Sequence, residues 1–503
     1  MKKQIVYDIA VVLLLLVVFF LSGYHEIINS LPRGLHFIRQ TDSLSFTDNY
    51  YLNGYPFFEP HVFNLASHEG RAACEFPILY YLSAKLFGIF GYHYWIPRGL
   101  NLIVFSTGIL SFNALSKRIT GQFFLSLIST LILVSSTIVL YYGANFLVDI
   151  AALGLVLIGL NLHHYGSVNG KTISLWGAYV SFILGALLKV TFAIVPIALI
   201  ICLLLEKLYP QTFHFHASNK GNARLNFLLF GLLILLVGGW YLYSKYYNST
   251  YGDTYFLTSI VPYWALDTTQ REEVFEAITN YWRTRYYYPQ VVQLLVLGIL
   301  TSIVFHKKLS AYILRLFIIG FLGLMCYLVL FFGQFKDHDY YFLPFVPFCG
   351  MILILIIQLV GLLEKKWIWV SKIVLTGLCV ASLHYSIGRL KERYTDNVDK
   401  FEYPRYDLFN ADEVLTSKGI SRGARFLVVG DNTRNGTLFF LKRAGYTFGT
   451  LESLLGSQFS SQIQGECDYL VINQALTSME GELDFEIEPF LQLGQWSFYK
   501  KLN

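Results

Sequence analysis

Charge is what this chain has least of. Asp, Glu, Lys and Arg make up 14% of its 503 residues, against 55% hydrophobic, and mean hydropathy is +0.49. So little charge cannot coat a soluble protein of this length, and the composition is that of a polytopic membrane protein. The small positive excess, +5, comes from basic residues beside apolar runs, which excludes a nucleic-acid-binding surface as its explanation. Cysteine is scarce too, with six in total. Cys202, Cys326, Cys349 and Cys379 fall inside apolar runs and read as core residues. Cys74 and Cys467 lie in polar stretches, but two residues do not make a disulfide framework. No C-x-x-C pair suggests a zinc or redox site. The segment 430–436 (GDNTRNG) has glycines but no Gly-Lys-Ser/Thr, so it is not a P-loop. There is no internal repeat of the kind transporters carry.

What the chain has instead is long apolar runs. The first, 5–23, follows Lys2 and Lys3, lacks a small-residue cleavage site and reads as a retained anchor with a cytoplasmic N-terminus. Further spans are expected at about 99–115, 123–142, 149–164, 227–243, 291–305, 314–332, 342–363 and 368–387. The run 173–205 is too long for one span, since about 33 residues of helix reach roughly 50 Å against a ~30 Å hydrocarbon core. It is split at Lys189, giving about eleven spans with basic clusters on one side and the C-terminus on the other. Aromatic residues, 17% of the chain, fall at the ends of many runs, as in Tyr141-Tyr142 and Tyr286-Tyr287-Tyr288.

Two stretches are not membrane-like. The first outer loop, 24–98, is polar and aromatic as far as about residue 73, and its apolar segment 76–91 is short and carries Lys85, as an interfacial helix would. From 389 the composition becomes that of a soluble domain. A strand at 426–430, a helix at 437–444 and a strand at 469–472 imply a small extracytoplasmic α/β domain over 389–503, after a transmembrane domain over 1–388.

The outer side gathers the unusual polar groups. Arg39-Gln40-Thr41-Asp42 follows the first span, Asp149 opens the fourth, Lys189 sits at a turn, and Lys336 to Tyr341 precede the tenth. Ionisable groups at membrane depth are functional candidates by default. Each also has a plainer reading. Arg39 and Asp42 could be one ion pair on a solvated loop, and Lys189 could snorkel to headgroups. Asp149 could cap a helix, and His338 could rest at the interface. His163 and His164 read as interfacial on the cytoplasmic side. Asn248-Ser-Thr and Asn435-Gly-Thr match the N-glycosylation pattern on the outer side.

Taken in order, these pieces resemble the GT-C membrane glycosyltransferases, of the protein O-mannosyltransferase and lipid A aminoarabinose transferase type (glycosyltransferase family 39). Arg-Gln-Thr-Asp42 looks like the family's first-loop acidic motif. Glu75-Phe-Pro-Ile-Leu-Tyr-Tyr, Leu-Phe-Gly and Arg98 look like its Pro-Pro-Leu-Tyr-Tyr segment, glycine and following arginine. Asp149 matches the second acidic position, Leu188-Lys189 with Pro196 the Leu-x-Lys-Gly…Pro segment, and His338-Asp-Tyr-Tyr-Phe-Leu-Pro-Phe-Val-Pro347 the late Tyr-x-x-Pro-x-x-Pro segment. Glu75-Phe-Pro replaces a basic-or-His-Pro-Pro, Val190 replaces a glycine, and no Asp-Glu pair occurs at Asp42. These departures bear on the acceptor more than on the chemistry.

The resemblance implies inverting transfer of a sugar from a polyprenyl-phosphate donor to a lipid, glycan or protein acceptor, on the outer face of a bacterial inner membrane. Asp42 would be the general base and Asp149 would orient the acceptor or assist. Lys189, with Arg39 or Arg98, would hold the departing phosphate, and Gln40, Glu75, His338, Tyr340 and Tyr341 would line the substrate site. The resemblance implies no protein metal site and no certain cofactor, and it leaves a divalent metal requirement open. Membrane lipids are the other expected partners, and nucleic acid is not one. The competing class is a transporter or flippase of lipid-linked sugars, which calls for ionisable residues midway along several spans and for repeat symmetry. A sensor or assembly protein would leave the polar first loop without a purpose.

Overall fold

The computed structural model describes residues 2–215, 223–256, 260–395, 403–457, 460–476 and 486–502. Among them, seven helices are long and apolar enough to cross a membrane, or nine if each of two bent pairs counts as one span. The first bent pair, Phe123–Val134 with Thr137–Gly143, turns by 76°. Its break falls at Ser135 and Ser136, where side-chain hydroxyls compete for backbone groups. Ser135 meets the Ser382 hydroxyl at 2.6 Å and Ser136 donates to the Tyr286 carbonyl at 2.7 Å, so the freed polar groups are satisfied. In the second, Thr268–Tyr286 turns by 100° into Pro289–Val304, with proline at the first helical turn. Val6–Leu21 and Thr172–Leu188 are shorter apolar helices, so each of the eleven expected runs is helical. The long run over 173–205 does break at Lys189, whose backbone is extended between Thr172–Leu188 and Val190–Ala193. Ile78–Phe90 is a helix of 13 residues, too short to span.

The chain forms two compact units. The first comprises Met1–Ile28, Arg98–Tyr241 and Ser259–Lys391. Its centre is occupied by Asp149–Asn169 and Asp339–Gly361, each 72% buried along the apolar window, while Lys365–Tyr394 is only 17% buried and lies at the rim. Close approach of Trp95–Thr120 to Asp149–Asn169 depends on small residues. A Cβ on Gly108 would lie 2.4 Å from the Gly154 Cα. His163 and His164 are buried inside the bundle rather than exposed on its surface. His163 is fully buried, with its ring nitrogens 3.0 Å from the Tyr312 hydroxyl and 3.1 Å from the Asn226 carboxamide oxygen, because a polar group inside the bundle is tolerated only with partners.

The second unit joins Asn29–Pro97, Leu242–Thr258 and Glu392–Asn503. The first outer loop and the C-terminal segment therefore fold together. The C-terminal segment carries a five-stranded sheet in the order β2-β1-β3-β5-β4, where β1 is Phe426–Val429, β2 Gly445–Phe448, β3 Tyr469–Asn473, β4 Ile487–Leu493 and β5 Trp496–Lys501. β1 is parallel to β2 and β3, and the β4–β5 hairpin adds antiparallel to β3. β1 is buried along its whole length, as expected for a central strand of Phe-Leu-Val-Val. The first loop contributes to this sheet. The Leu65 N–H donates to the Gly445 carbonyl at 2.7 Å, and the Gly445 N–H to the Phe63 carbonyl at 3.0 Å.

Residues 37–52 of the first loop are not a solvated loop but a helix, Phe37–Leu52, with twelve of sixteen side chains buried. Its Ser, Thr and Asn residues satisfy themselves on the preceding turn: Thr41 donates to the Ile38 carbonyl, Ser43 to Arg39, Thr47 to Ser43 and Asn49 to Ser45, at 2.9–3.1 Å. It packs by aromatic contact on opposite sides, Phe46 against Tyr80 and Phe256, and Phe37 against Phe440.

Candidate active site

In the second unit, the helix Phe37–Leu52 presents Asp42, which is 1% exposed. Both carboxylate oxygens are engaged. The Asn435 carboxamide donates to Oδ1 at 2.7 Å, the Tyr255 hydroxyl donates to Oδ2 at 3.1 Å, and the Arg39 guanidinium lies 3.5 Å from Oδ2. Burial pushes the Asp42 carboxyl above its ordinary range, while Arg39 and the hydrogen bonds from Asn435 and Tyr255 pull it back. Arg39 is shared, since its other terminal nitrogen is 2.7 Å from Glu75 Oε1. Gln40 is turned elsewhere, donating to the carbonyls of Arg33 at 2.8 Å and Leu35 at 3.3 Å, where it closes the turn that enters the helix.

Asn435 is delivered by the segment 430–436, at the carboxyl end of β1. Gly430 has φ +88°, and a Cβ there would lie 2.7 Å from the Asn473 Cβ, so glycine is required. Buried Asp431 organises the turn. It pairs with Arg405 and accepts from the backbone N–H groups of Thr433 at 2.7 Å and Thr437 at 3.0 Å. The adjacent Arg434 pairs with buried Asp253 at 3.0 Å and stacks over the Tyr255 ring, which aims that phenol at Asp42. Six residues further on, buried Asp48 pairs with Lys442, whose ammonium also donates to the Tyr92 hydroxyl at 2.8 Å. Burial pushes Asp48 up and Lys442 down, and each charge opposes the shift of the other.

The remaining sequence candidates fall in the first unit. Asp149 is the first residue of its helix rather than its cap, and its carboxylate lies 3.1 Å from the Lys189 ammonium. Both are mostly buried, at 4% and 14% side-chain exposure, so this is a desolvated pair rather than a snorkelling lysine. The rings of Tyr340 and Tyr341 cover the ammonium, with centroids at 5.0 and 5.3 Å. His338 stacks on both of these tyrosines, and the neighbouring Asp339 accepts from the Tyr142 hydroxyl at 2.5 Å. Arg98 is held by contacts of its own. It is 1% exposed, donates to the Ile27 carbonyl at 2.6 Å and lies 3.9 Å over the Phe146 ring.

Sequence reasoning thus missed Asn435, Tyr255, Arg434 with Asp253, and Asp48 with Lys442. One signal was available for the first: a glycine-rich turn at the carboxyl end of a central parallel strand is where open α/β sheets place ligands and reactive groups. Both N-glycosylation patterns fall on internal residues. Asn435 is fully buried, and Asn248, at 4% exposure, exchanges hydrogen bonds with the Ala73 backbone. Among the described residues, no three His, Cys, Asp or Glu side chains gather as they would around a metal ion.

No protein-family model and no curated protein matches the chain. Solved structures do. ArnT from Cupriavidus metallidurans bound to undecaprenyl phosphate superposes with a TM-score of 0.61 at 13% identity, covering 98% of this chain and 97% of that one. The apo state of the same protein gives 0.61 at 12% identity, covering 99% and 98%. The Archaeoglobus fulgidus oligosaccharyltransferase in the apo form gives 0.55 at 13% identity, covering 92% of this chain and 69% of that one. The likeness is one of fold, extends to both proteins and does not single out family 39. This chain is an integral membrane protein with the GT-C fold.

Proposed function

We propose that this protein is an inverting glycosyltransferase that moves a sugar from a polyprenyl-phosphate donor to a hydroxyl or phosphate of an acceptor, on the outer face of a bacterial inner membrane with its N-terminus in the cytoplasm. One observation carries the reading. Asp42 is a buried carboxylate whose proton affinity burial raises and a cation and two hydrogen-bond donors temper, the environment of a group tuned for proton transfer. That one protein of this fold holds undecaprenyl phosphate supports the donor class.

Asp42 acts as the general base. The acceptor hydroxyl takes the place of the Tyr255 hydroxyl on Oδ2, gives its proton to the carboxylate, and attacks the anomeric carbon as the bond to the donor phosphate breaks. Lys189, oriented by Asp149 and covered by Tyr340 and Tyr341, neutralises the phosphate that leaves. His338 supports that aromatic wall, while Arg39 and Glu75 set the charge around Asp42. Arg98 and Gln40 hold backbone turns.

Asp42→Asn preserves size and removes basicity. With a panel of polyprenyl-phosphate sugars, release of polyprenyl phosphate read by mass spectrometry should fall at least ~10²-fold, the scale of a lost general base. Donor binding should be retained. Turnover near the unsubstituted rate in both Asp42→Asn and Asp149→Asn would refute the reading.

A further inference from the structure

The second unit carries a cleft whose walls do not include Asp42. It has a volume of about 820 Å³ and lies at the outer edge of the sheet, beside Thr447 and Phe448 of β2. A smaller cavity of about 300 Å³ continues it, sharing Leu65, Glu69 and Arg425 as walls. We propose that this cleft binds an uncharged oligosaccharide, and that the ligand is the acceptor of the transfer reaction. The second half of this statement rests on the function proposed above, whereas the binding itself does not.

Three properties of the walls select a sugar chain. The first is charge balance. Arg425 pairs with Glu466 at 3.1 Å, and Arg434 pairs with Asp253 at 3.0 Å, so the cleft offers no net cationic field to a phosphate or sulfate. The second is the density of planar hydrogen-bonding groups. A guanidinium, a carboxylate and the carboxamide of Gln462 face one space, and such forks bind pairs of neighbouring hydroxyls. Glu466 is fixed for this task, since Gln462 donates to it at 3.0 Å and Tyr446 at 2.8 Å. Those bonds hold its carboxyl below the usual range, so it faces the cleft as an acceptor. The third is the pair of rings, Tyr446 and Phe448, which offers apolar surface to the C–H face of a pyranose. A lipid tail would need a continuous apolar groove, and the polar groups here interrupt any such path.

The cleft is also wired to the base. Arg434 lines it, and the next residue, Asn435, donates to Asp42. Asn64 stitches the two together. Its backbone N–H reaches the Asn435 carboxamide at 3.2 Å, and its side chain donates to the Arg434 carbonyl at 2.8 Å and the Thr447 hydroxyl at 3.0 Å. A chain bound in the cleft rests on the turn that holds Asp42, as an acceptor should.

The experiment uses the full-length protein in detergent on a printed array of neutral and acidic oligosaccharides, followed by titration of the neutral glycan that binds best. Arg425 is 46% exposed and Gln462 is exposed, so Arg425→Ala and Gln462→Ala should fold, with melting temperature as the control. The expected result is binding of neutral oligosaccharides that changes little with salt and weakens at least tenfold in each variant. Binding of no glycan, binding confined to acidic glycans with steep salt dependence, or binding unchanged in both variants would overturn the proposal. Neutral-glycan binding lost in both variants, in a protein that releases no polyprenyl phosphate with any donor, would sink the transferase reading and leave the binding site standing.

Discussion

Replacing Asn435 with alanine tests whether the C-terminal segment tunes the base. The substitution leaves Asp42 buried and removes the donor 2.7 Å from Oδ1. A hydrogen bond to a charged group contributes about 1.5–3 kcal/mol. At 1.36 kcal/mol per factor of ten, its loss should lower kcat/KM by roughly ten- to a hundredfold at pH values on the acid limb. The sign of the pH effect follows from the groups around Asp42. Burial raises its proton affinity, and Arg39, Asn435 and Tyr255 lower it. A base works only when ionised, so activity is lost as pH falls through its titration. Removing Asn435 makes the proton bind more tightly, and the acid limb of kcat/KM must move to higher pH, with activity recovering toward alkaline pH. Asn435→Asp, of the same shape, sets a second carboxylate against the first and should move the limb further. The assay is polyprenyl phosphate release across the pH range, with donor affinity measured in parallel. A loss of equal size at every pH, with the acid limb unmoved, would refute the reasoning and leave Asn435 as a packing residue.

Lys189→Ala should weaken binding of the polyprenyl-phosphate donor and strand Asp149 without its partner, while Lys189→Arg should rescue only in part because a planar fork replaces a point charge. Unchanged donor affinity in Lys189→Ala, measured by titration, would count against the phosphate role. Arg98→Lys should lower the melting temperature and leave donor affinity unchanged, since Arg98 bonds the Ile27 carbonyl and stacks on Phe146. A selective loss of donor binding would return Arg98 to the phosphate site.

Membrane helices were legible because apolar length is read directly from composition. Lys189 marked a break because a charge within about 33 apolar residues is costly in hydrocarbon unless the chain turns there. β1 and β3 were legible as short runs of branched and aromatic residues. The helix Phe37–Leu52 was not. Its Ser, Thr, Asn and Asp residues favour turns by local hydrogen bonding, and only packing against partners distant in sequence, such as Phe256 and Phe440, makes it a helix. β2 and β4 were missed for a related reason, since Gly445 in one and Pro489 in the other weaken the strand signal. Asp42 was found from its neighbours in sequence. Its two hydrogen-bond donors lie 213 and 393 residues away, a separation at which periodicity and spacing carry no information.

That separation also bears on whether the C-terminal segment is a dispensable module. A composition change at 389 suggests a domain that could be removed. Yet three carboxylates outside it, Asp42, Asp48 and Asp253, are each at most 3% exposed and take a partner from within it: Asn435, Lys442 and Arg434. Removing one partner of a buried ion pair costs about 3–5 kcal/mol. Two such pairs and the Asn435 bond together amount to about 8–13 kcal/mol, as much as the whole stability of a typical domain. The figure is an upper bound, because exposed carboxylates regain water. The β2 edge adds to it through Phe63 and Leu65, which lose their pairing with Gly445. Truncation after Tyr394 should therefore unfold the first loop while the apolar helices remain inserted. Limited proteolysis should cut the truncated protein within Asn29–Pro97 under conditions that leave the full chain intact there, and donor release should be lost with it. Equal resistance of that stretch in both forms would show that the first loop stands by itself, and the C-terminal segment would then influence Asp42 through Asn435 alone.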